Sequence, residues 1–514
     1  MKGRQKRSRT RTAASLLVAA GLSAALLAGC GSGSAPAPGA EAGGAGEGEP
    51  FRMTMMSPFY NAQPPAANES NPAFQALQEL TNTKLQVTYV PSATYEDKLN
   101  VTLASGNLPQ AIVVLNAKSS TILNAARAGA FWEIGPYIAD YPNLKSYWND
   151  TIAFHTSIDG KTYGIFRARP FVRTGFIYRK DWLDKLGLQP PRTVQDIYDI
   201  AKAFTLGDPD GNGKHDTFGL TTTSDNIDAM VRMFGIAQGG VNGWGVRDGK
   251  PVAMHMTPEY GEAVSLLRNM YAEKLINPDY VTLKGLKLYD SFNLGKAGMY
   301  VGVLDDAYNR HPDLYKLFPE AKLDFVLTLE GKGGAKTMAF PGHAGMIMFP
   351  KSSVKTEQEL RKALAYFDKA LDSKVLMLAA WGVEGVHYKL ENGIPVYINE
   401  QLFKDQAAEL AHLRVQPAVV EWPSDHEMVK KYKRLWKENE KNGVASVIES
   451  FIPPQELINK EASMGNVITD ARDKYILGQI DEAAFRAAGE QWKKRVGDDL
   501  SKEIASFLER AKQK

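Results

Sequence analysis

Cysteine is almost missing from this chain: Cys30 is the only one among 514 residues, which excludes any internal disulfide. A strong charge of one sign is missing too. The formal +3 comes from a basic leader, Lys2, Arg4, Lys6, Arg7, Arg9 and Arg11; subtracting these six from 61 basic residues leaves 55 against 58 acids, a net charge of about −3. Nucleic acid is therefore not an expected partner. There is no Walker motif, and the loops after the predicted strands are not glycine-rich, so no nucleotide phosphate cradle is suggested. No pair of carboxylates at a defined spacing, and no Tyr/His/Lys cluster, stands out as acid–base machinery. A composition of 44% hydrophobic and 23% charged residues excludes a disordered chain and a polytopic membrane protein.

What is present begins with a secretory leader. The basic residues precede an apolar run from Ala13 to Ala28, too short for a comfortable membrane span, so residues 1–29 read as a removable lipoprotein signal peptide. Leu27-Ala28-Gly29-Cys30 closes it with the residue that bacterial lipoprotein processing requires. Cys30 is thus the expected lipidation site, its diacylglyceryl and palmitate chains holding the protein at the extracellular face of the bacterial cell membrane; a plain signal peptide with an incidental cysteine is the other reading. Residues 30–50 are rich in Gly, Ala, Ser and Pro and read as a lipid-anchored flexible tether with a reach of roughly 25 Å.

The folded body is expected from Phe51. About 460 residues are too many for one core, so two lobes are the expectation. Strand and helix alternate at first: Phe51 to Met56, Lys84 to Val90 and Ala111 to Leu115 read as strands, Asn71 to Leu80 and Tyr95 to Ala104 as helices. Repeated βα units predict a largely parallel sheet covered by helices, with ligands at the carboxyl ends of its strands. That points to the loops Ser57-Pro58-Phe59-Tyr60-Asn61 and Asn116-Ala117-Lys118-Ser119-Ser120.

Several segments then carry a family resemblance. Ala104-Ser105-Gly106-Asn107-Leu108-Pro109-Gln110-Ala111-Ile112 resembles the ASGxxPDI turn of extracellular solute-binding proteins of family 1, with Gln110 where the family usually has Asp. Asp159-Gly160-Lys161-Thr162-Tyr163-Gly164, Gly175-Phe176-Ile177-Tyr178-Arg179-Lys180-Asp181-Trp182-Leu183 and Phe292-Asn293-Leu294-Gly295-Lys296-Ala297-Gly298-Met299 follow in the family's order. Trp381-Gly382-Val383-Glu384-Gly385-Val386-His387-Tyr388 resembles the LipO and LplA-like branch.

The resemblance implies an α/β, two-lobed periplasmic-binding-protein-like fold of type II with hinge crossings near 167–175, 340–344 and 388–395. Residues 51–166 with 341–390 would form the first lobe and 167–340 with 391–514 the second. It also implies a solute-binding protein of an ABC importer, not an enzyme; the lipid anchor is expected from Cys30, and a monomer is the default expectation. Such a protein captures an oligosaccharide by interlobe closure and delivers it to permease subunits in the membrane, the ATPase being supplied by other chains. A surface-anchored carbohydrate-active enzyme, a glycosidase or lyase, is the rival reading. A receptor for peptides, lipids or a polyamine, or a sensing partner of a surface kinase, is a third.

One site rests on spacing alone. Asp208, Asp210, Asn212 and Asp216 stand at positions 1, 3, 5 and 9 of a loop with Gly213 at position 6, the EF-hand-type pattern, and the Lys214 carbonyl would serve at position 7. Position 12 is Gly219 rather than Glu, so Thr217, water or a remote acid would complete the shell. The set is all oxygen, which suits a structural Ca²⁺; an Asx-rich surface loop without metal is the other reading.

A sugar cleft needs aromatic platforms flanked by planar donors and acceptors. Candidates at loops or crossings are Phe59, Tyr60, Asn116, Arg167, Arg169, Trp244, Trp381, Glu384 and His387. Core packing is the competing role for each aromatic. Arg167 and Arg169 would suit a uronate carboxylate, or else an interlobe salt bridge, and Glu384 with His387 reads as a structural hydrogen-bonded pair or an acid/base pair.

Overall fold

A computed structural model describes residues 49–61, 63–415, 417 and 426–512. The leader, Cys30 and nearly all of the tether lie outside the described residues. The early elements follow the hydrophobic pattern: strands at Phe51–Phe59, Thr83–Pro91 and Ala111–Val114, helices at Pro72–Thr81 and Tyr95–Ser105. The first helix starts where local chemistry dictates. Asn71 accepts hydrogen bonds from the Ala73 and Phe74 amides, and Pro72 takes the first helical turn, where no amide hydrogen is needed.

The first sheet has five strands in the order Thr83–Pro91, Phe51–Phe59, Ala111–Val114, His343–Met348, Gly164–Ala168. It is parallel except for His343–Met348, which runs antiparallel to both neighbours because it enters from the other end of the sheet. Met55, Ile112, Val113, Ile165 and Ile347 from its strands pack with Phe74, Leu123 and Phe367 from flanking helices, all of them buried. A second sheet has four strands in the order Leu323–Val326, Thr174–Arg179, Ala297–Val303, Phe218–Leu220. Its core gathers Phe176, Phe204, Phe234, Leu267 and Met299. A further apolar cluster joins Ala253 and the loop residue Phe451 to Trp492, Leu500 and Ile504 of the C-terminal helices.

The chain leaves the first sheet after Ala168, enters the second at Thr174, and returns between Val326 and His343. The third crossing differs from the expectation at 388–395. Tyr388–Glu391 pairs with Ile394–Tyr397 as a hairpin, and Ala407, Leu410, Leu413 and Val415 pack into the first core. Residues 403–415 therefore pack with the first sheet rather than the second. The reason is apolar: these side chains bury against Phe367 and its neighbours, not against the helices that follow. Among the described residues no helix is long and apolar enough to cross a membrane.

Candidate functional site

The strand ends of both sheets border a cleft of about 740 Å³. Lys118 reaches it from the loop after Ala111–Val114; Thr174, Gly302 and Asn226 come from the second sheet and its helix Ile227–Ala237. Phe340 and Pro341 line it from the return crossing, and Phe451 from the C-terminal block. This is the position expected for a ligand in an open α/β sheet, because loops at the carboxyl ends of strands are free to face it.

Its polar groups are held in place by one another. Asn226 donates from Nδ2 to the Val301 carbonyl at 3.2 Å. Arg232 donates to Asp228 at 2.5 Å and to the Asn242 amide oxygen at 2.9 Å. Lys118 donates to the Glu449 carbonyl, and burial lowers its pKa to about 8 against the pull of the Glu449 carboxylate. Burial also pushes Asp306 up to about 6, although the Tyr289 hydroxyl donates to it at 2.8 Å. Aromatic walls of Tyr289, Phe340 and Phe451 beside oriented amides and charges are what recognition of a polar ring compound requires.

The residues singled out from sequence are scattered around this cleft. Asn116 is exposed and accepts from the Lys118 amide at 3.1 Å, so it shapes the loop that delivers Lys118. Trp244 follows the cleft-lining Gly243, but its ring packs on Trp492 at 6.1 Å. Phe59 is buried, edge-on to Tyr89; Tyr60 is half exposed, its ring 4.8 Å from His412. Trp381 lies against Tyr397 at 4.7 Å and belongs with the Tyr388–Tyr397 hairpin, and Glu384 is exposed there. His387 is fully buried; its Nδ1 accepts from the Val383 amide at 2.9 Å and its Nε2 bonds Gln406 at 3.1 Å. Both ring nitrogens are thus occupied by groups other than Glu384, and burial holds the imidazole below its ordinary pKa. None of Trp381, Glu384 and His387 lines the cleft.

Asn226, Arg232, Tyr289, Asp306, Phe340 and Glu449 line the cleft without standing out in the sequence as ligand contacts. One signal points to part of this set. Thr221-Thr222-Thr223-Ser224-Asp225-Asn226 is a polar run directly after the short strand Phe218–Leu220, and a polar run at a strand's carboxyl end marks a site.

Arg167 and Arg169 are brought together with two further arginines. Arg167 is 1% exposed, donates to the Ala344 carbonyl at 3.1 Å, contacts His412 Nδ1 at 2.8 Å, and leaves its Nε buried without a partner. Arg169 is half-buried and donates to its neighbour's carbonyl, that of Ala168, at 2.8 Å. Arg414, from the segment that packs into the first core, is buried and donates to the Val415 carbonyl, its Nε without a partner among the described residues. Among the described residues Arg173 alone of the four meets a carboxylate, Asp305 at 3.5 Å. Burial, then repulsion from Arg167 and Arg173, brings Arg169 down to about 10. Burial and the neighbouring Arg167 and Arg169 hold His412 well below its ordinary value, so it is neutral and can accept from Arg167. Neither Arg167 nor Arg169 forms a salt bridge among the described residues. None of the four arginines lines the cleft; the backbone alone adjoins it, the Arg169 amide donating to Gly342 O, next to the lining Pro341, and Arg173 preceding the lining Thr174.

The Asp208–Asp216 loop follows the helix Val194–Leu206. Asp208 accepts from the Asn212 and Gly213 amides at 3.0 and 3.1 Å, and the Asn212 side chain joins Asp210 to Asp216 at 2.7 and 3.0 Å. Lys296 pairs with Asp216 at 2.5 Å. Burial and a hydrogen bond shared with Asp208 push the Asp210 carboxyl up. The Asn212 amide group bridges two of these carboxylates, and the Lys296 ammonium already supplies positive charge at one of them. Lys214 donates its amide to Asn212 at 2.7 Å, which keeps the turn tight. Thr217 departs from the expectation: it is buried and donates its hydroxyl to the Phe204 carbonyl at 2.8 Å, so it is tied to the preceding helix. Among the described residues no group of three or more His, Cys, Asp or Glu side chains is gathered tightly enough to form a metal cage by itself.

Residues 63–375 match the family model of the bacterial extracellular solute-binding protein. The polygalacturonan/rhamnogalacturonan-binding protein YtcQ of Bacillus subtilis (strain 168) is 36% identical over 466 residues, covering 90% of this chain and 92% of that protein. Lipoprotein LipO of the same organism is 35% identical over 477 residues, covering 89% and 92%. Among solved structures, the alginate-binding protein AlgQ2 without calcium ion has the same fold, with a TM-score of 0.67 at 19% identity over 89% of this chain and 98% of that one. A match this long to the family model, joined to two full-length relatives, leaves one assignment: the chain belongs to the bacterial extracellular solute-binding protein family, whose members bind solutes rather than convert them.

Proposed function

We propose that this protein is the lipid-anchored receptor of an ABC importer and that it captures an acidic oligosaccharide, a uronate chain, between its lobes. The observation that carries the acidic reading is the arginine group. Arg167, Arg169 and Arg414 lie close together with no carboxylate partner among the described residues. Taking cations out of water without a counter-ion costs several kcal/mol, roughly, for each deeply buried one, so such a group favours an incoming anion. A guanidinium meets a planar carboxylate through two parallel hydrogen bonds, which fixes the orientation of a uronate as well as its charge. The names of YtcQ and AlgQ2 agree in chemistry, since polygalacturonan and alginate are both polyuronates.

The lobes of this reading are residues 51–168 with 343–415, and 174–326 with 426–512, joined by the crossings at 169–173 and 327–342, following the sheets and core memberships above. Closing them over the cleft would bury the sugar and create the surface a permease recognises. Anchoring through Cys30 follows from the leader, and LipO is named a lipoprotein. Ca²⁺ on Asp208, Asp210, Asn212, the Lys214 carbonyl and Asp216 would be structural, because the loop has no group that could act on a ligand.

Titration calorimetry of the purified protein with oligogalacturonates and with neutral oligosaccharides of the same length, followed by a product assay, tests the function. Saturable binding of the uronates with no product is the expected result. Preference for the neutral sugars would remove the acidic reading, and product formation would remove the receptor reading.

A further inference from the structure

A second groove adjoins the cleft. It has a volume of about 470 Å³ and lies between the helix Asp150–Thr156 with its Asp159-Gly160 turn on one side and the Ser450–Pro454 loop with the helix Asp498–Lys512 on the other. Phe451 forms a wall of both spaces. The helix Asp150–Thr156 joins them again: Phe154 faces the groove, and the adjacent His155 bonds through Nδ1 to the carbonyl of the cleft-lining Pro341 at 2.8 Å.

The groove has the two elements that a uronate residue needs. Phe154 is 50% exposed, an aromatic surface that no core covers. Arg510 is exposed and donates to the Ser506 hydroxyl at 2.7 Å, with no carboxylate partner among the described residues, so its guanidinium remains open to a carboxylate. Of the two acids that line the groove, Asp159 is engaged by Arg127 through two hydrogen bonds of 2.9 and 3.1 Å, and Glu503 stands two helical turns before Arg510. Meanwhile the cleft itself, at about 740 Å³, has the size of a site for one drug-sized ligand, so a longer saccharide must leave it at one end.

We propose that this groove is an outer subsite, in which Phe154 stacks on a sugar ring and Arg510 pairs with its carboxylate, so that the protein selects chains longer than the cleft alone can hold. The inference rests on the acidic-saccharide reading of the cleft. The test is calorimetry of the full chain and of Phe154→Ala and Arg510→Ala with digalacturonate and hexagalacturonate. The unsubstituted protein should bind the hexamer more tightly than the dimer. Each substitution should weaken hexamer binding about three- to tenfold, the range of a single stacking or charge-assisted contact, and leave the dimer unchanged. Both residues are exposed, so folding should be intact, and a matching thermal melt checks this. Equal loss for dimer and hexamer, or no loss for either, overturns the subsite while leaving the cleft reading in place. No binding of either length by the unsubstituted protein overturns both.

Discussion

If the ligand is acidic, as proposed, Arg169 is the side chain on which recognition of its charge would turn. It is half-buried, repelled by Arg167 and Arg173, and has no acid of its own among the described residues. Arg169→Gln should lower affinity for oligogalacturonates by roughly ten- to a hundredfold, the value of one charged hydrogen-bonded contact, and leave any neutral-sugar binding unchanged by calorimetry. Arg169→Lys should recover only part of the loss, because an ammonium cannot present two parallel donors. Asp306 sets a pH dependence instead. Its folded pKa is raised to about 6 by burial, so its contribution to stability is present below the ordinary carboxylate value and is lost as pH rises through about 6. Asp306→Asn keeps an acceptor for the Tyr289 hydroxyl without the buried charge. The variant should melt higher than the parent near pH 8 and converge with it near pH 4, the difference being on the order of 1–3 kcal/mol.

At the scale of elements, the strand His343–Met348 decides how the return crossing joins the first sheet. Its register on Gly164–Ala168 shifts between His343 and Met346, and Gly345 sits in that irregularity with φ of +81°. A Cβ there would lie 2.1 Å from the Val114 carbonyl oxygen, which belongs to the neighbouring strand and cannot move aside. Only glycine satisfies both the left-handed backbone and the close approach. Gly345→Ala should therefore cost about 3 kcal/mol or more, seen as a lower urea midpoint with an unchanged slope. The carbonyl of the preceding Ala344 accepts from Arg167, so the same bulge also fixes the arginine group.

Over the whole molecule, the proposed ion at the Asp208–Asp216 loop would couple ion binding to stability. The loop hangs between the helix Val194–Leu206 and the strand Phe218–Leu220 of the second sheet, so an ion bound there would hold two core elements together. An ion that binds the folded chain at a concentration a hundred times its Kd stabilises it by about 2.7 kcal/mol. Calcium should raise the melting temperature by a few degrees, a chelator should reverse the rise, and Asp210→Asn should abolish it. A melt insensitive to calcium and chelator would leave Lys185, Lys214 and Lys296 as the counter-charges of the loop.

The amino-acid sequence by itself determined the local features of this protein. The alternation of apolar residues set the first strands, Asn71-Pro72 set a helix start, and the spacing of Asp208, Asp210, Asn212 and Asp216 set an oxygen-lined turn. Each of these depends on neighbours a few residues apart, which the order of the chain displays directly. The tertiary structure alone decided which residues meet. It placed Trp381 and His387 against the Tyr388–Tyr397 hairpin, took residues 407–415 into the first core, and so set Arg414 and His412 beside Arg167. It also joined Lys118, Asn226, Asp306 and Phe451 around one cleft. Those groupings arise from the burial of apolar surface between segments hundreds of residues apart, and that packing is non-directional, so no local pattern in the chain records it.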